Sequence, residues 1–166
     1  MDQSLRDAAQ EGSIDALHSL VRGDPYTLDT IDKIPFVETP LHIAASAGHT
    51  QFAMEIVRLK PSLAWKLNQD SFSPMHLALQ NNQTHVVCWL LDADKDLVRV
   101  QGKEGATPLH HVAQTGNLYL LGEFQKVLRW LLNARVDTNA TNLAGFTALD
   151  ILEGQTQIDN NEIRIC

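Results

Sequence analysis

The sequence predicts an all-α solenoid, a row of helix–turn–helix units stacked side by side, and three observations carry that prediction. Three stretches are nearly the same: Thr39-Pro40-Leu41-His42-Ile43-Ala44-Ala45, Ser73-Pro74-Met75-His76-Leu77-Ala78-Leu79 and Thr107-Pro108-Leu109-His110-His111-Val112-Ala113. Their leading residues Thr39, Ser73 and Thr107 are 34 residues apart each time, a period typical of helical repeats. Each stretch also opens like a helix. The hydroxyl residue is an N-cap that accepts from an otherwise unpaired N–H, and proline follows at the first helical position, where its missing donor costs nothing.

Within a unit, Leu41 and Ala44 or Ala45, with their counterparts, fall on one face at i, i+3 and i+4. The alanines let a neighbouring helix approach closely. Gly48 and Gly116 stop the helix as left-handed C-terminal residues, with Asn82 as the substitute between them. The tetratricopeptide repeat has the same length but a different tryptophan, glycine and tyrosine pattern, and no Thr-Pro-Leu-His start. The motif resembles the ankyrin signature, which implies helix pairs joined by finger-like turns.

Taken in order, Leu5-Arg6-Asp7-Ala8-Ala9-Gln10-Glu11-Gly12 matches the helix from Leu41 to Gly48 but carries Arg6 and Asp7 in place of histidine and an apolar residue. It reads as an N-terminal cap, whose outer face must be polar. Ile14, Leu17 and Val21 mark a second helix, and a loop through Asp24-Pro25 leads to the first full motif. Thr50 to Leu59 is the next partner helix, with Phe52, Ile56, Val57 and Leu59 as its apolar face and Pro61 ending it. Residues 62–72 connect to the second motif. Its partner helix is built on Val86, Val87, Leu90 and Leu91, with Cys88 read as core. Glycine stands at the turn as Gly105 and Gly145, but Val37 and Ser71 hold the other two places, so those two fingers are expected to be less regular.

The step from Thr107 to Thr147 is 40 residues instead of 34. The extra residues fall in the second helix of the fourth unit, where Leu121, Phe124, Leu128 and Leu131 keep one apolar face, and the final unit is expected to shift to meet it. Thr147-Ala148-Leu149-Asp150-Ile151-Leu152 lacks both proline and histidine. The expected organisation is an ankyrin-type domain over residues 1–153, of about five units with a cap first and an incomplete unit last. Residues 154–166 are read as a weakly ordered tail.

The net charge of −7, without a basic run, argues against nucleic acid and anionic membranes, because phosphate binding needs clustered Lys and Arg. Cys88 and Cys166 are too few for a disulfide framework, which points to a reducing compartment. The polar start lacks a signal-peptide pattern, and no apolar window is long enough to span a bilayer. Direct membrane insertion by this chain is therefore not expected, and the location is read as cytoplasmic. The sequons at Asn82 and Asn139 are read as chance. Hydrolase, zincin, phosphate-loop and dinucleotide signatures are all missing, so neither an enzyme nor a cofactor is expected. No metal site is expected either. His110 and His111 diverge on a helix, and His85 with Cys88 lacks further ligands. The ankyrin resemblance gives His42, His76 and His110 a structural role, bonding back to the turn.

What remains is surface. Phe36, Phe72 and Phe146, with Leu143, stand where the turns project. They either face a partner or tuck between adjacent fingers. Glu38, Lys103 and Glu104 join them on the fingers, and Ser46, Gln80, Asn81 and Gln114 near the ends of the first helices complete the candidate partner-binding set.

A narrower resemblance rests on Glu38 to Ala45, Leu63-Ala64-Trp65-Lys66-Leu67-Asn68-Gln69-Asp70, Ser73 to Asn81 and Asp96-Leu97-Val98-Arg99-Val100. These phrases are similar to a plant group of membrane-anchored ankyrin proteins, the "bian da" type. The resemblance implies a protein–protein interaction scaffold in plant defence signalling, using fingers and the concave helix face, with membrane association if a transmembrane region is missing from this chain. A shortened regulatory form that competes or pairs with a full-length relative is the alternative it leaves open.

Overall fold

The first helices of successive units stack on one another because each buries the same short apolar face. In the computed structural model, which describes residues 1–115, 140–148, 150, 151 and 154, these are α1 (Gln3–Glu11), α4 (Pro40–Ala47), α6 (Pro74–Gln80) and α8 (Pro108–Thr115). Contacts run α1 to α4, α4 to α6 and α6 to α8. Leu5, Leu41, Met75 and Leu109 recur at the interface, and Ala8, Ala9, Ala44, Ala45, Ala78 and Ala113 keep the helices close. The second helices α2 (Ile14–Gly23), α5 (Thr50–Leu59) and α7 (Thr84–Ala93) form a parallel row outside them. No strand occurs among the described residues, and the chain is the all-α repeat solenoid its sequence predicts.

The helix ends follow the sequence chemistry. Thr39 and Ser73 sit in extended backbone and accept from the N–H of His42 and His76. Gly48 closes α4 at φ 81°, in the left-handed region. Asn82 takes the corresponding place after α6 at φ 58°, and Gln83 N–H donates to Ala78 as His49 N–H does to Ala44.

Several expectations need correction. The loop after Asp24-Pro25 contains a helix, α3 (Thr27–Lys33), which buries Leu28 and Ile31. The connections after α5 and α7 wind into 3-10 turns at Pro61–Trp65 and Lys95–Arg99, burying Leu63, Ala64, Leu97 and Val98. Leu59 is 37% exposed, since Ala53 completes the inner face of α5 instead. Cys88 is exposed as well: Val86, Val87, Leu90 and Leu91 occupy the buried face of α7, and residue 88 lies about 100° round from 87, away from it.

The predicted long helix over 118–133 and the tail at 154–166 lie outside the described residues, residue 154 excepted. The fourth finger is described, and it docks in the ordinary way. His110 Nε2 reaches the Phe146 carbonyl at 3.0 Å, as His42 and His76 reach theirs, and Leu143 N–H donates to the Glu104 carbonyl at 2.9 Å, so this finger keeps its place where a shift was expected.

Candidate functional site

The second, third and fourth fingers are tight turns held by backbone bonds that include Asn68 N–H to Phe72 O at 2.9 Å, Gly102 N–H to Ala106 O at 2.8 Å and Asn142 N–H to Phe146 O at 3.0 Å. The asparagine carboxamides tighten two of them, because Asn68 Oδ1 accepts from Asp70 and Phe72 N–H, and Asn142 Oδ1 from Ala144 and Phe146 N–H. Ser71 adopts φ 62° where Gly105 has 71° and Gly145 has 81°. The second finger is thus as regular as the glycine-bearing ones, against expectation. The first does depart from them, with the positive φ of 48° at Phe36 instead of Val37. At Gly102 a Cβ would stand 2.8 Å from the Ser71 carbonyl oxygen, so absence of a side chain there lets adjacent fingers lie side by side.

The motif histidines join one unit to the next. His42 Nδ1 accepts from Thr39 N–H at 3.2 Å, and the Thr39 hydroxyl lies 2.8 Å away. This leaves Nε2 to carry the proton and donate to Phe72 O, in the following finger, at 3.0 Å. His76 repeats the scheme with Ser73 and Ala106 O, and His110 with Thr107 and Phe146 O. At the first unit Arg6 stands in the histidine position and pairs with the Glu38 carboxylate at 2.8 Å. At the last, Asp150 accepts from Thr147 N–H and hydroxyl, which holds its carboxyl below the usual range. Burial lowers His42 and His76 to about 4, opposed by the carbonyls they donate to. The sequence suggests the bond back to the turn. It does not reveal the reach into the next unit, which requires the stacking itself.

Between the fingers and the first helices runs a groove of about 400 Å³. Ile43 and Leu77 line it from α4 and α6, Ser46 from the end of α4, and Glu38 and Asp70 from the fingers. Of the candidate residues, Glu38 and Ser46 line this groove. Ser46 and Glu38 are half-exposed, Gln80 and Gln114 are exposed in the last turns of α6 and α8, and Asn81 is exposed just after α6. Lys103 and Glu104 are exposed on the third finger. Phe36 is 58% and Phe146 54% exposed. Phe72 is half-buried: its ring centroid lies 6.2 Å from that of His76 and 6.3 Å from that of His111, so it packs toward the neighbouring unit. Burial also lowers the pKa of His111.

A second polar cluster secures α3. Asp32 accepts from the Ser62 hydroxyl at 2.7 Å and pairs with Lys60 at 3.3 Å and Lys66 at 3.6 Å, while Asp29 pairs with Lys60 at 2.6 Å. Partial burial raises the Asp32 pKa, but the Ser62 and Lys60 bonds and the two lysine charges bring it below the usual value. Among the described residues, no helix is long and apolar enough to cross a membrane.

A family model for ankyrin repeats, in three copies, matches residues 5–100, and a single ankyrin repeat matches 104–143. Over 73 residues, 44% of the chain, the sequence is 47% identical to the ankyrin repeat-containing protein BDA1 of Arabidopsis thaliana, of which this covers 17%. It is 27% identical over 151 residues to the palmitoyltransferase AKR1 of Kluyveromyces lactis, covering 88% of the chain and 19% of that protein. Over 128 residues it is 27% identical to the Caenorhabditis elegans homolog of transient receptor potential cation channel subfamily A member 1, covering 77% of the chain and 10% of the channel. The chain spans less than a fifth of the length of each of these relatives. With the family's repeats matched over more than half its length and its helix pairs, fingers and capping histidines in place, the chain belongs to the ankyrin-repeat family.

Proposed function

We propose that the chain recognises another protein through its finger turns and inner helix face, as a scaffold in plant defence signalling. The observation that carries this reading is the groove between fingers and first helices. Its apolar floor, Ile43 and Leu77, stays partly exposed while the structural histidine His42 beside it is fully occupied within the fold. Side chains that the solenoid does not use for its own packing are thereby presented in one place. The plant-defence setting rests on the resemblance to the "bian da" group and on the identity with the Arabidopsis BDA1 protein. The matches to a palmitoyltransferase and a cation channel are to a small part of each, and neither activity is carried over.

The test is affinity capture from plant tissue with the wild-type chain and with a Phe36→Ala, Gln80→Arg variant, both sites being exposed. A distinct partner retained by the first and lost by the second is the expected result. Equal retention by both, with helical circular dichroism unchanged, would place recognition elsewhere.

A further inference from the structure

The groove is built in rows that advance with the repeat. Four residues after each N-cap residue, Ile43, Leu77 and His111 are half-buried on α4, α6 and α8, and the first two form the groove floor. Three positions further on, Ser46, Gln80 and Gln114 form a neutral polar bank at the helix ends. The opposite bank is the fingers, where Asp70 and Glu104 both stand three residues before their N-cap residues and are exposed. Arg6, the cation lining the groove, is already paired with Glu38. Lys103 lies next to Glu104 on the third finger, and the carboxylate of Asp70 has no cation within pairing distance among the described residues. His42, His76 and His111 all have pKa values lowered by burial, so none of them supplies a compensating positive charge at neutral pH. The groove thus offers an apolar floor between one neutral hydrogen-bonding bank and one bank holding an uncompensated negative charge, on a chain whose net charge is −7.

We propose that the protein bound here presents an extended, basic segment: a Lys or Arg faces Asp70, an apolar side chain rests on Ile43 and Leu77, and its main chain turns toward Ser46 and Gln80. The inference rests on the scaffold reading above and names the class of partner. An extended chain suits the geometry because stacked helices lie about 8–10 Å apart, and a strand advances about 3.3 Å per residue. Roughly three residues therefore pass each unit, and a second basic residue three places on meets Glu104. An acidic segment would meet Asp70 with like charge, and a helix rising about 1.5 Å per residue would need its basic residues about seven apart instead of three.

The test uses a labelled peptide of three Lys-Leu-Ser triplets, its Glu-Leu-Ser counterpart, and fluorescence anisotropy at low salt. The lysine peptide is expected to bind, and the glutamate peptide is not. Asp70→Asn should weaken binding about threefold, as expected for an exposed ion pair, and raised salt should remove the difference between wild type and variant. Leu77→Gln should weaken binding at every salt concentration. Equal binding of both peptides, no binding of the lysine peptide, or full affinity in Asp70→Asn would overturn the inference. If natural capture is lost in the Phe36→Ala, Gln80→Arg variant but unchanged in Asp70→Asn, the scaffold reading stands and only the basic partner falls.

Discussion

Acid should loosen the stack of units well before it protonates ordinary carboxylates. His42 and His76 are neutral in the folded chain, and their Nδ1 atoms accept from the N-cap N–H while Nε2 donates to the next finger. A proton on Nδ1 removes that acceptor and places a charge in a buried site. Their folded pKa of about 4 lies below the ordinary value of 6.5, so between these values the unfolded chain binds more protons than the folded one. The stability that depends on these two rings is therefore full above pH 6.5, falls as pH drops toward 4, and changes little further below it. At pH 5 each histidine costs about 2 kcal/mol relative to neutrality, and the two together cost about 4 if independent. Phe72 supplies the acceptor carbonyl for His42 and packs its ring on His76, so some coupling between the sites is expected. Urea unfolding followed by circular dichroism at pH 7 and pH 5 measures this. With a slope of about 2 kcal/mol per M, the midpoint should fall by about 2 M. In a His42→Gln, His76→Gln variant the starting midpoint should be lower and the fall between the two pH values much smaller. An equal fall in wild type and variant would refute the assignment of the acid sensitivity to these rings.

Thr107→Val removes the hydroxyl beside His110 Nδ1 and the cap it provides, and should cost ~1 kcal/mol, seen as a lower urea midpoint at unchanged slope. Gly102→Ala pushes a methyl group toward the Ser71 carbonyl and the His76 ring, and should cost about 1–3 kcal/mol, with hydrogen exchange quickening in both neighbouring fingers; an unchanged midpoint would show that the fingers have room to part. The double change Asp29→Asn, Asp32→Asn should release α3 from Lys60 and Lys66, speeding amide exchange over residues 27–33 while leaving α4 and α6 protected. Exchange unchanged over 27–33 would mean that Leu28 and Ile31 alone hold the helix.

Much of the fold is legible because it is written three times. A hydroxyl cap, a proline and a left-handed stop each act within one turn of helix, so their spacing reads directly from residues such as Thr39, Pro40 and Gly48. What escapes is set by a second chain segment. α3 has only Leu28 and Ile31 as a short apolar signal, and its position depends on lysines more than thirty residues on. Ser71 looks like a poor replacement for glycine until Asn68 is seen to hold the turn with its side chain. Cys88 sits in an apolar run, Val86 to Leu91, whose continuous hydrophobicity hides which face turns outward. The candidate site is legible as positions but not as a surface. Gln80 and Asp70 are ten residues apart in the chain, and only the fold sets them on opposite banks of the inner helix face.

The histidine ladder explains how such a surface is free to differ from unit to unit. His42, His76 and His110 all reach the residue just before the next N-cap, and all bond to its carbonyl oxygen. A carbonyl is present whatever the side chain, so this contact places no demand on residue type at positions 72, 106 and 146, which here are Phe72, Ala106 and Phe146. The exception is the first unit, where Arg6 engages the Glu38 side chain itself. Stacking is thus encoded in the buried cap and its imidazole, whereas the side chain of the finger residue is left free to vary. A substitution such as Phe146→Ala should accordingly keep the bond from His110 and the stability that comes with it. The same change at Glu38 would leave Arg6 without its partner and alter surface and stacking together.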